Sequence, residues 1–168
     1  MSILYVPSGT NKPQDDTSIC YRGQKRYAAT LVKQIFVNLP VKDLKRSVDF
    51  FTALGFSFNP QFTDENATCM IIGENIYAML LVESFFKTFI RKDISNASKT
   101  TEVLTALSVE SRAKVDDIAD KALASGGSPN IDSQDHGWMY ARSFQDVDGH
   151  IWELLYMDER QMPASPGK

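Results

Sequence analysis

The chain has 168 residues and a net charge of −3, with 43% apolar and 23% charged residues. That length buries one core without disulfide or metal staples. The negative balance argues against a nucleic-acid or anionic-membrane surface, and no apolar run approaches the roughly 18 residues a membrane-spanning helix requires. Cys20 and Cys69 are far apart and show no C-x-x-C spacing, so we read them as reduced thiols. The opening text "MSILYVPSGTNKPQDD" has neither the basic start nor the apolar core of a secretory signal. Together these features lead us to expect a cytoplasmic protein. Only two histidines exist, His136 and His150. Any transition-metal site must therefore use at most these two imidazoles, with carboxylates, thiols or amides supplying the rest.

Residues 1–31 mix Pro, Gly, Ser, Asp and basic residues without periodicity. They read as an arm laid on the surface, or else as an extra edge strand or a dimer-clasping arm. Regular structure starts at "KQIFVNLPV", where Val37, Leu39 and Val41 alternate with Phe36, Asn38 and Pro40 as in a strand. In "KDLKRSVDFFTALGF", Asp43 is placed to cap a helix with an apolar stripe of Leu44, Val48, Phe51 and Leu54. Gly55 ends that helix. "CMIIGENIYAMLL" reads as two strands joined by a Gly-Glu-Asn turn. Phe85, Phe86, Phe89 and Ile90 then stand at helical spacing, as short core packing, a lid or a dimer contact. "SNASKTTE" is a polar connector.

"VLTALSV" repeats the opening strand, and "ESRAKVDDIADKALASGG" repeats the helix, with Val115, Ile118, Ala119, Ala122 and Leu123 on one face. "WMYARSFQ" and "HIWELLYM" close the chain as strands around a "DVDG" turn. The order strand, helix, strands thus occurs twice, and internal duplication is the economical reading.

The segments "IFVNLPVKDLKRSVDFFTALGF", "LTALSVESRAKVDDIADKALASGG" and "FQDVDGHIWELLYM" together resemble the glyoxalase/bleomycin resistance/dioxygenase superfamily, the vicinal oxygen chelate fold. Val147 stands at the usual proline position of the family's last motif. The resemblance spans about residues 32–158. It implies an α+β fold of two βαβββ modules, about 32–95 and 102–158. These form a curved mixed sheet around a cavity, with the helices on the outer face and a tail at 159–168. Metal-dependent members hold a divalent ion with one side chain from each of four strands. The matching positions here are Phe36, Met79 or Leu80, Leu104 and Glu153. Only Glu153 is a hard donor, so the expectation is no metal and no cofactor.

The ligand positions that the resemblance implies, extended along each strand by alternation, put Phe36 and Asn38, Leu104, Ala106 and Ser108, and Ile151, Glu153 and Leu155 on the cavity face. Val37, Leu39, Val41, Leu107, Val109, Trp152 and Leu154 go under the helices. Such a lining suits a small-molecule site, and equally a filled core. A two-residue hairpin at "DVDG" would set Arg142 opposite Glu153, on the same face, as its countercharge. Trp138, Met139 and Tyr140 are a stacking rim or plain strand and core. The expected ligand set is accordingly Phe36, Asn38, Met79, Leu104, Ser108, Trp138, Tyr140, Arg142 and Glu153, with Glu153 the candidate catalytic group. The expected function is metal-free binding of a small, partly apolar molecule by a homodimer. The alternatives are a lactoylglutathione lyase-like or dioxygenase-like metal enzyme, a metal-independent acid–base enzyme using Glu153, and an interaction protein with a vestigial cavity.

Overall fold

The computed structural model describes residues 32–163. The arm expected at 1–31, with Cys20, lies outside the described residues. The first module runs β1 (Ile35–Val41), α1 (Leu44–Ala53), β2 (Ser57–Asn59), β3 (Ala67–Gly73) and β4 (Ile76–Val82), followed by the short α2 (Glu83–Phe86). The second runs β5 (Leu104–Ser108), α3 (Arg112–Ala124), β6 (Ser128–Pro129), β7 (Gln134–Asp135), β8 (Met139–Gln145) and β9 (Ile151–Met157). The strands form two hydrogen-bonded sheets, ordered β1-β4-β3-β2 and β5-β9-β8-β6, with β7 also on β8. In each module the first strand runs parallel to the last, and the other pairs are antiparallel. Among the described residues no helix is long and apolar enough to cross a membrane.

The two longer helices, α1 and α3, each start where a side chain satisfies a free backbone N–H. Asp43 accepts from Arg46 N and Ser111 from Lys114 N. The helix faces of both sheets feed one core. Leu39, Val41 and Leu80 come from the first module, and Phe144, Trp152 and Leu154 from the second. Phe51 joins them, edge-on to Phe50 at 5.0 Å and tilted against Trp152 at 5.2 Å. Burying a side chain of this size stabilises the fold by about 1.5–3 kcal/mol. The buried stripe of α1 is Ser47, Phe50 and Phe51, rotated from the expected one, with Leu44 and Val48 only half-buried. The rotation follows from α1 serving two modules. Phe50 reaches Phe144, and Ser47 Oγ donates to Asp148 Oδ2 at 2.7 Å.

The turn before β9 is the joint between the modules. Asp146 N donates to His150 O, and Gly149 N to Asp146 O. Gly149 has φ +100. This is a three-residue hairpin loop with a left-handed glycine, not the two-residue turn expected. A Cβ at Gly149 would also meet the connector backbone, 2.9 Å from Ala97 C and Ser98 N. Asp146 Oδ1 accepts from the backbone N–H of Asp148, Gly149 and His150, and its Oδ2 accepts from Trp152 Nε1 at 2.9 Å. Asp148 Oδ1 accepts from Lys42 N at 2.9 Å. His150, 3% exposed, donates from Nε2 to Pro40 O at 2.8 Å, and its Nδ1 meets Glu102 Oε1 at 2.5 Å. Asp146 thus shapes the turn from inside, while Asp148 and His150 tie that turn to the first module at Lys42, Ser47 and Pro40.

Candidate functional site

The side of the sheets away from the helices follows from the ladders. In the first module β1 and β4 pair in phase, so Phe36 lies beside Tyr77 and Asn38 beside Met79. The Phe36 and Tyr77 rings stack at 4.9 Å and 15°. Cys69 pairs with Met79 and continues this face onto β3. In the second module Leu104 lies beside Ile151, Ala106 beside Glu153 and Ser108 beside Leu155. Glu153 is opposite Ser143 on β8. The Asp146–His150 pair exchanges a backbone bond, so alternation makes Ser143–Glu153 a non-hydrogen-bonded pair, whose side chains approach closely. Asn130 Nδ2 donates to Ser143 Oγ at 3.1 Å, from the loop between β6 and β7.

Exposure divides this face. Asn38, Ala106 and Ser108 are exposed, Leu104 is 50% exposed, and Phe36, Glu153, Ile151 and Leu155 are half-buried. Met79 is on the expected face but only 4% exposed, so it underlies the surface rather than presenting itself. The register also decides between Met79 and Leu80. Met79 pairs with Asn38 as Glu153 pairs with Ala106, whereas Leu80 is buried in the helix-side core. Burial pushes the Cys69 thiol up, as suits a buried sulfur acting as a small apolar group.

Two expected site residues belong to the opposite face. The three-residue loop moves the hairpin register by one position. Arg142 therefore faces Leu154 and Tyr140 faces Tyr156. A one-residue shift changes every cross-strand partner. Arg142 does not meet Glu153. Its Nη1 donates to Asp116 Oδ1 at 2.8 Å and its Nη2 to Asp120 Oδ1 at 2.9 Å, both on α3. Tyr140 donates its hydroxyl to the same Asp116 oxygen at 2.8 Å. These bonds hold the Asp116 carboxyl below its ordinary range and the Arg142 guanidinium above its own. Arg112 completes this helix-side network. It clamps Asp135 with two nitrogens, donates to Gly137 O and sits over the Tyr140 ring at 5.1 Å. That clamp pulls the Asp135 carboxyl down to about 2. Trp138 precedes β8 and its carbonyl accepts from Asp158 N at 2.8 Å. His136 is exposed before β8, and His150 is at the inter-module joint.

The four positions that the resemblance sets at metal ligands are, with Met79 chosen by register, Phe36, Met79, Leu104 and Glu153. One carboxylate, two hydrocarbon side chains and a buried thioether do not fit a catalytic divalent ion. Among the described residues no three His, Cys, Asp or Glu side chains converge as a metal site. Two cavities among the described residues lie off this face. One, about 170 Å3, is at the joint beside Pro40, Lys42, Asp148 and His150. The other, about 430 Å3, is on the helix side beside Arg46, Phe50 and Val147. With Asn38, Leu104, Ala106 and Ser108 exposed, the face bearing Glu153 is an open surface among the described residues.

Residues 33–73 match the family "Bleomycin resistance protein-like N-terminal". A search of curated proteins finds no match. Among solved structures, hypothetical protein SA1046 from S. aureus is 26% identical, covering 76% of this chain and 95% of its own, with a TM-score of 0.64. A glyoxalase/bleomycin resistance protein/dioxygenase family enzyme from Burkholderia phytofirmans is 12% identical, covering 73% and 97%, with a TM-score of 0.62. The fosfomycin resistance protein FosX from Mesorhizobium loti is 14% identical, covering 79% and 98%, with a TM-score of 0.58. The architecture is that of a two-module α+β protein whose fold is duplicated in sequence order. More particularly, it is the fold of the glyoxalase/bleomycin resistance/dioxygenase structures, and the family match lies in β1 to β3 of the first module.

Proposed function

We propose that the face shared by Phe36, Asn38, Leu104, Ser108 and Glu153 binds a small, partly apolar molecule without a catalytic metal. The observation that carries this reading is the donor set. The ligand positions of the fold point to one face, and three of the four carry side chains that bind hydrocarbon rather than metal. A lactoylglutathione lyase-like or dioxygenase-like reaction requires a Lewis acid that Glu153 alone would not hold. Exposed Leu104 and Met157 on the same face leave apolar surface for a second copy, and the working unit in this proposal is a homodimer. The test is a thermal-shift screen of aromatic and amphipathic molecules on protein stripped of metal. Saturable stabilisation that survives chelator, and weakens in a Phe36→Ala variant, supports the reading. Stabilisation only after stoichiometric Zn²⁺ or Ni²⁺ is restored overturns it.

A further inference from the structure

The two faces of the sheets differ in charge. On the helix side the charged strand residues are Asp135 and Arg142, both paired. On the other side Glu153 is the only charged side chain among the described strand positions, which otherwise carry apolar groups, amides and hydroxyls. Among the described residues Glu153 has neither an ion-pair partner nor a hydrogen-bond partner, while Arg142 is committed to Asp116 and Asp120.

Ser143 sharpens the chemistry. Its Oγ already accepts from Asn130 Nδ2, so its O–H remains free to donate. The side chain directly opposite is Glu153. A carboxylate offers about four acceptor positions and one hydroxyl fills at most one of them. The remaining positions are open to a donor of opposite charge, flanked by Ile151, Leu155 and Leu104.

We infer that the molecule bound here is an organic cation. It would carry an amine, amidine or guanidine that donates to Glu153 beside Ser143, on an apolar body lying along this face. The inference rests on the small-molecule reading above and names the ligand class for that site. Charge-assisted hydrogen bonds are about twice as strong as neutral ones, so the head group decides affinity while the body supplies contact area. Asn130 is a positioning residue, acting through the Ser143 hydroxyl.

The test uses three probes with one body, 4-phenylbutylamine, 4-phenylbutanol and 4-phenylbutyrate, titrated into the full chain by protein-observed NMR. The amine should bind about tenfold or more tighter than the alcohol, and the carboxylate weakest. Glu153→Gln should lower the amine to the alcohol's affinity and leave the alcohol unchanged. Arg142→Ala, on the other face, should change neither. Raised salt should narrow the gap. Equal binding of all three probes overturns the cation inference and leaves the small-molecule reading standing. So does a preference for the amine that persists in Glu153→Gln. No shifts on this face with any probe would remove both.

Discussion

The acidic groups of the inter-module joint and the single acid of the open face have opposite fates. Asp146 accepts four hydrogen bonds within the second module, and Asp148 accepts two from the first, across the boundary between modules. Glu153, a few residues on, has the space and the acceptors for a partner the described chain does not supply. The text "DVDGHIWELLY" therefore holds two kinds of charge. One is used up in making the fold, and the other remains available to a ligand. Burial alone does not separate them, since a buried acid with full hydrogen bonding is architecture. What separates them is whether the bonds are already made.

The largest expected effect breaks the joint. Asp146→Ala leaves the buried Trp152 Nε1–H without its acceptor and removes the side-chain cap from three backbone N–H groups. The expected loss is about 3 kcal/mol or more. A drop in melting temperature of roughly 10 °C should accompany it. Glu153→Gln, by contrast, should stay within about 0.5 kcal/mol of the parent, because the folded chain has invested nothing in that carboxylate. Urea melts of both variants check the comparison. Similar losses in the two would show that Glu153 is structural after all.

Much of this was legible in the sequence, for a definable reason. Parity fixes which residues of one strand share a face, and the ligand positions implied by the resemblance say which face of β1, β5 and β9 that is. Phe36, Asn38, Leu104, Ser108 and Glu153 could therefore be placed together without knowing any turn, whereas β8 carries no such position and took its face from the assumed hairpin register. Cross-strand partners depend instead on loop length, and "DVDG" is compatible with a two-residue and a three-residue loop. The choice is made by Gly149 at φ +100 and by Asp146 capping the loop from inside, neither of which composition announces. The Arg142–Glu153 pairing and the cavity-side placement of Tyr140 failed at that step. Asn130 was missed because it lies in a loop between strands of two residues each, too short to show a period. The buried Ser47 was missed because a helix stripe read against one sheet does not reveal a second module behind it.

Arg142 tests that register at intermediate cost. Its guanidinium ties β8 to Asp116 and Asp120, both partly exposed, so Arg142→Ala should cost about 1 kcal/mol or less. The Asp116 carboxyl should then rise toward its ordinary range, and the Glu153 resonance should not move. NMR titration of the side-chain carboxyls separates the two placements. A change at Glu153 with Asp116 undisturbed would restore the pairing that the hairpin register denies.

The smallest effect concerns pH, and here the two regions should differ in sign. Asp135 is held at about 2, below its ordinary 3.8, chiefly by the Arg112 hydrogen bond. A carboxyl depressed in the folded state contributes stability above its unfolded value, lost as pH falls through the folded one. The Arg112–Asp135 contribution should therefore be present above 3.8 and disappear on acidification toward about 2. Asp146 is shifted the other way, because burial outweighs its hydrogen bonds. Its contribution is complete below its ordinary value and declines as pH rises through its raised one. Asp135→Asn should flatten the acid limb of the urea midpoint, measured between pH ~5 and ~2, and leave the Asp146 slope in place. Since Asp135 is exposed, salt should shrink the difference between parent and variant. A difference that persists in high salt would mean that the Arg112 clamp is shielded from solvent, and that the helix side owes more to this ion pair than its exposure allows.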